Sequence, residues 1–241
     1  MDISIIIPAY NENKKIAADI FAADNFLKSQ NFNGEIILVD DGSKDDTAKI
    51  AEACKTNYQL KVIKLKNNLG KGGAVIEGVK QSVGDIILYA DSGLTVPFDN
   101  SLIGINFIKS NKCEIANGSR KITGAKIIKP QDIDRKIISR IFGIISKLLL
   151  KIPKNLTDTQ CGFKVYKGDV ARKLFPQITT TGFLFEIEIV LLAKKENYKI
   201  LEFPVIWTCD RDSRISIRKS SKKVVTDFIY LYKKFSAAEI I

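Results

Sequence analysis

Three apolar runs in the first 95 residues, Ile3 to Ile7, Glu35 to Val39 and Asp85 to Ala90, each stop at polar and acidic residues. These are Pro8-Ala9-Tyr10-Asn11-Glu12, Asp40-Asp41-Gly42-Ser43 and Asp91-Ser92. Short apolar runs bounded by turn-forming residues predict strands. Between them, Ile16, Ile20, Ala23 and Leu27 recur at helical spacing within residues 12–28, and Leu60 to Leu65 alternates as a further strand. Ser43 with Asp46 three residues later predicts a helix start before residues 48–54. The glycine-rich turn Asn67-Asn68-Leu69-Gly70-Lys71-Gly72-Gly73 opens a helix over 74–82. Strands alternating with helices predict a parallel, Rossmann-like sheet. In such a sheet all three polar clusters emerge at the carboxyl edge, where open α/β proteins bind ligands.

Beyond residue 98 the pattern changes. It predicts a helix near 99–109, a short strand at 114–117 ending in Gly118-Ser119-Arg120, and a long helix over 132–152. A strand at 159–166, a helix at 183–196, a strand at 199–207 and a helix at 222–235 follow. Lys136, Arg140, Lys147 and Lys151 fall on one stripe of the long helix, with Ile, Leu and Phe around the rest. That pattern suits a helix lying in a membrane interface, or an amphipathic helix packed on a core. The chain reads as one domain over 1–241, with a ligand-binding half at 1–98 and a second half at 99–241.

Composition narrows the chemistry. Of 241 residues 45% are apolar, enough for a substantial core, yet no run of eighteen uncharged apolar residues suits a membrane span. The amino terminus has no signal-peptide pattern, so a cytoplasmic protein is expected. Histidine is absent, which removes His-dependent nucleophile systems and His-based metal sites. The four cysteines have no metal-type or redox-type spacing and are expected as reduced thiols. The net charge of +11 points to an anionic partner. Residues 1–100 are nearly balanced, whereas Lys and Arg dominate from Lys109 onward. Aromatic residues do not interleave with the basic clusters as stacking platforms would, so nucleic acid is not the expected partner.

The acidic mouth needs something to offset its carboxylates: a metal ion, hydrogen-bonding hydroxyls, or both. A nucleotide sugar with its divalent cation meets that requirement. Asp40 and Asp41, followed by Gly42, offer acceptors for ribose hydroxyls and close backbone approach; a capped turn before a helix is the structural alternative. The turn around Lys71 and Gly72 has the composition of a phosphate cradle or of a plain helix entry. It lacks both the Walker and the dinucleotide spacing.

Taken together, Pro8-Ala9-Tyr10-Asn11-Glu12, Val39-Asp40-Asp41-Gly42-Ser43, Asn68 to Val75, Asp158-Thr159-Gln160-Cys161-Gly162-Phe163-Lys164 and Trp207-Thr208 resemble a family 2 glycosyltransferase of the GT-A fold. Within it the resemblance runs to dolichyl-phosphate (polyprenyl-phosphate) β-glucosyltransferases and, more distantly, to dolichyl-phosphate mannosyltransferases. The resemblance implies a mostly parallel, mixed sheet flanked by helices, with the basic helix near the acceptor. It implies inverting transfer of glucose from UDP-glucose to polyprenyl phosphate, at the cytoplasmic face of a membrane to which the protein is peripherally attached. Pro8, Tyr10, Glu12, Asp40 and Asp41 would hold uridine and ribose, and Arg211 and Arg214 would contact the donor diphosphate. Asp91 falls on the first aspartate of the family's Asp-x-Asp metal motif, but the chain reads Asp91-Ser92-Gly93-Leu94-Thr95, without the second. Magnesium or manganese would then rest on Asp91, the diphosphate and Thr95.

On the acceptor side, Arg120 matches a family arginine, and Arg135 with Ser139 one helical turn later matches an arginine-serine pair. These three would grip the lipid monophosphate, which is mostly dianionic at neutral pH and can attack without a general base. Asp158, Glu186 and Glu188 either line the sugar pocket or brace basic side chains, with bracing preferred for Glu188. Other readings are a different hexose donor such as GDP-mannose, a saccharide acceptor with Asp158 or Glu186 as base, and a non-catalytic nucleotide-sugar-binding relative.

Overall fold

The computed structural model describes residues 1–130, 143, 145–209 and 217–236. In chain order the elements are β1 (Ile3–Ala9), α1 (Ile16–Ser29), β2 (Gly34–Asp40), α2 (Thr47–Ala53), β3 (Gln59–Lys64), α3 (Lys71–Gln81), β4 (Ile86–Ala90) and α4 (Ser101–Lys109). The second half adds β5 (Ile115–Ser119), β6 (Lys126–Lys129), β7 (Phe163–Lys167), α5 (Gly168–Leu174), α6 (Phe185–Lys195), β8 (Ile200–Pro204), β9 (Ile206–Thr208) and α7 (Ile217–Ser236).

Seven strands form one sheet in the order β3-β2-β1-β4-β7-β5-β8, and β6 pairs with β9 in a separate two-stranded sheet. Strands β1 to β4 are parallel, as the alternation of strands and helices requires. Strand β7 runs antiparallel to both β4 and β5, which therefore share one direction. The carboxyl ends of β1, β2, β4 and β5 and the start of β7 thus meet at a single edge.

Both faces of the sheet are covered, which explains the unbroken apolar runs. Ile3, Ile5, Ile7, Leu38 and Leu88 pack with α1 and α4 on one side; Ile6, Ile37, Val39, Ile87 and Tyr89 pack with α3 and α6 on the other. Tyr89 meets Phe185 edge to face at 5.9 Å between ring centroids, joining β4 to the start of α6. Burying one such large side chain contributes roughly 1.5–3 kcal/mol.

Several expectations shift. The strand expected at 199–207 is two strands in two different sheets, and β6, with all four residues exposed, was not expected. Lys126-Ile127-Ile128-Lys129 has neither a period of two nor a face to bury, so its sequence carries no strand signal. Ser43 does not cap α2: its hydroxyl accepts the Asn11 N–H at 2.8 Å, tying the first acidic cluster to the second. Of the long helix expected at 132–152, residues 143 and 145–149 are helical. Most of its length, with Arg135, Lys136, Ser139 and Arg140, lies outside the described residues, as do Arg211 and Arg214.

Candidate active site

The register of β1 against β2 sets Pro8 beside Val39 and Ala9 beside Asp40, and the Asp41 N–H donates to the Ala9 carbonyl at 2.8 Å. The first two clusters therefore emerge side by side. Glu12 is fixed by its N–H, which donates to the Thr47 hydroxyl at 2.8 Å, and Tyr10 is half-buried at the same rim. Asp40 lies at the end of β2, its carboxylate accepting the Ser43 N–H at 3.3 Å.

Asp41 behaves differently from a ribose ligand. It is buried, and its two carboxylate oxygens accept the N–H groups of Leu69 and Gly70 at 2.7 and 2.9 Å. It braces the turn that launches α3 from the protein side. Gly42, at φ +70°, lies against the backbone of Asn67 and Asn68 in the same turn. Gly72 serves the helix-entry alternative as a packing surface: a Cβ there would sit 2.8 Å from the Phe185 Cβ and 2.9 Å from the Thr181 carbonyl. That carbonyl also accepts the Gly73 N–H at 3.2 Å. These glycines let the first turn of α3 lie on the segment leading into α6.

What this turn delivers to the mouth is Lys71. Its Nζ lies 2.8 Å from Asp91 Oδ1, donates to Asp91 Oδ2 at 3.0 Å and lies 3.3 Å from Glu186 Oε1. The Tyr89 hydroxyl donates to Asp91 Oδ1 at 2.7 Å and to Glu186 Oε1 at 3.3 Å. Lys164, fully buried on β7, stands 3.7 Å from Glu186. Burial pulls the Lys71 pKa down, but Asp91 and Glu186 outweigh it and hold the ammonium above its ordinary range.

Asp91 itself rests against β7. Its N–H donates to the Gly162 carbonyl at 2.8 Å, and a Cβ at Gly162 would fall 1.9 Å from Asp91 Oδ2. Only a residue without a side chain fits between this carboxylate and the start of the strand. Beside it stands a second ion pair. Arg120, just past β5, donates from Nε to Asp158 Oδ2 at 2.7 Å and from Nη2 to Asp158 Oδ1 at 2.8 Å. Its guanidinium lies 5.3 Å from the Trp207 ring centre. Burial would raise the Asp158 carboxyl, yet this bidentate contact holds it down at about 2.

Among the described residues Asp91 joins Lys71, Glu186 and Tyr89, Glu186 faces Lys164, and Arg120 pairs with Asp158. Glu188 braces, as preferred, accepting bonds from Thr179 and Thr180 and an ion pair from Lys234 at 2.7 Å. The sequence reading missed Tyr89 and Lys164, which sit inside apolar strands. It also missed Asp19 on α1, whose carboxylate accepts the N–H groups of Gly93 at 2.9 Å and Leu94 at 2.9 Å. The signal for Asp19 was a carboxylate inside the buried stripe of Ile16, Ile20 and Ala23. Burial lifts its pKa to about 6 against those two bonds.

The residues present do not form an Asp-x-Asp pair. Position 93 carries no carboxylate, both Asp91 oxygens contact Lys71, and Asp19 is turned to backbone amides. The Thr95 carbonyl accepts the Thr208 N–H at 2.9 Å. Among the described residues no group of three acidic, cysteine or histidine side chains could hold a metal ion.

Comparison with known proteins places this geometry. Residues 4–175 match the family Glycosyl transferase family 2. The dolichyl-phosphate beta-glucosyltransferase of Dictyostelium discoideum is 34% identical over 94% of this chain and 72% of its own length. That of Saccharomyces cerevisiae is 30% identical over 95% and 73%. Among solved structures, mannosyl-3-phosphoglycerate synthase from Rubrobacter xylanophilus superposes with a TM-score of 0.73 at 16% identity, covering 97% of this chain and 74% of that one. Glucosyl-3-phosphoglycerate synthase from Mycobacterium tuberculosis, in complex with Mn2+ and UDP-glucose, gives 0.70 at 16% identity, covering 96% and 78%. The structural likenesses establish the fold, and the sequence matches establish the lineage: the chain belongs to glycosyltransferase family 2 and is a glycosyltransferase of the GT-A fold.

Proposed function

We propose that this enzyme transfers glucose from UDP-glucose to a polyprenyl (dolichyl) phosphate with inversion, forming a β-linked lipid phosphosugar. The observation that carries the reading is the state of the carboxylates at the mouth. Asp91 and Glu186 are tied to Lys71, Glu186 also faces Lys164, and Asp158 is clamped by Arg120. A carboxylate held at about 2 is a poor general base. A saccharide hydroxyl needs such a base, whereas a phosphate monoester, with its second pKa near about 6, arrives already ionised. The geometry therefore favours a phosphate acceptor over a saccharide one, in keeping with the names of the similar eukaryotic enzymes.

In the proposed step a phosphate oxygen attacks the anomeric carbon from the face opposite the departing UDP. The new C–O bond forms as the bond to the β-phosphate oxygen breaks, and that oxygen keeps the electron pair. In this reading Lys71 would meet the negative charge that grows on the leaving diphosphate, a fixed cation needing no reorganisation. Arg120, backed by Asp158 and Trp207, is placed to orient the acceptor phosphate.

Peripheral attachment to the cytoplasmic face of a membrane belongs to the same reading. Among the described residues no helix is long and apolar enough to cross a membrane. Ile127 and Ile128 are exposed on β6 between Lys126 and Lys129, Ile206 is exposed on β9 opposite Lys126, and Leu148 is 73% exposed in the helical stretch at 145–149. Apolar side chains framed by lysines suit an anionic lipid surface.

The test is a transfer assay with labelled UDP-glucose and a short polyprenyl phosphate, with GDP-mannose and a free saccharide as competitors for donor and acceptor. Label entering the organic phase from UDP-glucose supports the proposal. Transfer only from GDP-mannose, or only to the saccharide, refutes it.

A further inference from the structure

We propose that Lys71 is a built-in replacement for the divalent cation of an Asp-x-Asp site, so that the donor diphosphate binds to this enzyme without metal. The proposal rests on the nucleotide-sugar reading above and goes beyond it by naming what balances the donor's charge.

Three features of the mouth lead there. First, the turn after β4 cannot supply a second carboxylate. Gly93 occupies the position, at φ +87°, and its N–H and that of Leu94 are locked onto Asp19, which is 1% exposed. The nearest acid on that side is thus spent on backbone. Second, Asp91 is already engaged from the protein side, although its side chain stays 32% exposed toward the mouth. Lys71 contacts both oxygens, Tyr89 donates to one, and Gly162 closes the flank so tightly that no Cβ fits. A metal ion approaching Asp91 would meet an ammonium group already sharing that carboxylate, and like charges at such range repel strongly. Third, the ammonium is held by more than Asp91. Glu186 lies 3.3 Å away, and the Tyr89 ring centre lies 5.5 Å from Nζ. Glu186 is in turn steadied by Lys164.

The charges at this wall already balance: Asp91 and Glu186 face Lys71 and Lys164. An Asp-x-Asp pair leaves negative charge that only a cation from solution can offset. Here the cation is covalently part of α3, placed at its first residue, and Lys71 remains 21% exposed on its side chain, within reach of an entering diphosphate. Nucleotide binding then draws on a fixed charge rather than on a third component.

Isothermal titration of UDP into the full chain tests this, in EDTA and in millimolar Mn2+ or Mg2+. We expect affinities in EDTA and in metal to agree within about fivefold, and Lys71→Gln to weaken binding in EDTA by more than about fivefold while Lys71→Arg stays inside that margin. Thermal unfolding shows whether each variant is folded, and the comparison of EDTA with metal stands on the unmodified enzyme alone. Binding by the unmodified enzyme that drops more than fivefold in EDTA, or a folded Lys71→Gln variant that binds in EDTA as tightly as the parent, overturns the inference and leaves the donor reading intact. No UDP binding in either condition overturns both.

Discussion

Replacing Asp158 by Asn removes one charge from a buried, bidentate pair and changes little else in volume. Asp158 accepts three bonds from Arg120, from Nε, Nη2 and the backbone N–H at 2.7, 2.8 and 3.1 Å, and is 1% exposed. Its pKa is held at about 2 against an ordinary 3.8, so the folded state binds its proton more weakly than the unfolded chain does. The stabilisation is therefore fully present above pH 3.8 and is lost as pH falls through 2. A difference of nearly two units corresponds to roughly 2–3 kcal/mol at neutral pH, falling to about half of that at pH 3. The amide of Asn also turns a donor toward a guanidinium, so the loss at neutral pH is expected nearer ~3 kcal/mol, within the range for breaking a buried ion pair. Urea unfolding of both proteins at pH 7 and pH 3 reads this directly. Equal stabilities at pH 7, or a gap that does not narrow by pH 3, would refute the claim that Arg120 is clamped by Asp158.

Gly162→Ala is expected to push the Asp91 carboxylate out of its seat, because the new Cβ falls 1.9 Å from Oδ2, and to lower kcat by at least about a hundredfold. A rate within a few-fold of the parent would show that Asp91 need not sit there. Asp19, lifted to about 6, contributes with the opposite sign: its stabilisation is complete below pH 3.8 and is lost as pH rises through 6. The stability of the parent relative to Asp19→Asn should therefore fall by about 2 kcal/mol between pH 4 and pH 7; a flat difference in urea midpoints contradicts the buried carboxylate. Ile128→Asp, on an exposed strand position, should leave the melting temperature within about 2 °C and reduce co-sedimentation with anionic vesicles several-fold. Unchanged sedimentation refutes the proposal that the β6–β9 sheet faces a membrane.

The legible parts of this fold are those where one physical demand dominates. Strands β1, β2 and β4 are buried on both faces, and a segment that must be apolar on both sides cannot hide in a sequence. Helix α1 announced itself through a stripe of four residues, and the carboxyl-edge clusters followed from strand direction alone. The antiparallel insertion of β7 between β4 and β5 was not legible, because nothing in Phe163-Lys164-Val165-Tyr166-Lys167 distinguishes the two directions. Yet β7 decides the site: it carries Lys164 inward and sets Gly162 against Asp91.

The acids at the mouth were legible as acids, and what offsets them was not. Spacing along a chain predicts which residues reach a sheet edge, but the pairing of Lys71 with Asp91 spans 20 residues and with Glu186 spans 115. The sequence reading looked to a bound ion for compensation, since a glycine-rich turn suggests amides facing phosphate. The structure turns those glycines toward Thr181 and Phe185, and that packing is what aims the lysine. The same close approach explains why the turn needs glycine at position 72 and a cation at position 71: one lets α3 start against α6, and the other places positive charge between two carboxylates that would otherwise repel across the junction. Loss of the second aspartate at Gly93 is then no isolated defect. With Lys71 already in contact with both Asp91 oxygens, a further carboxylate in this loop would leave excess negative charge facing an anionic donor.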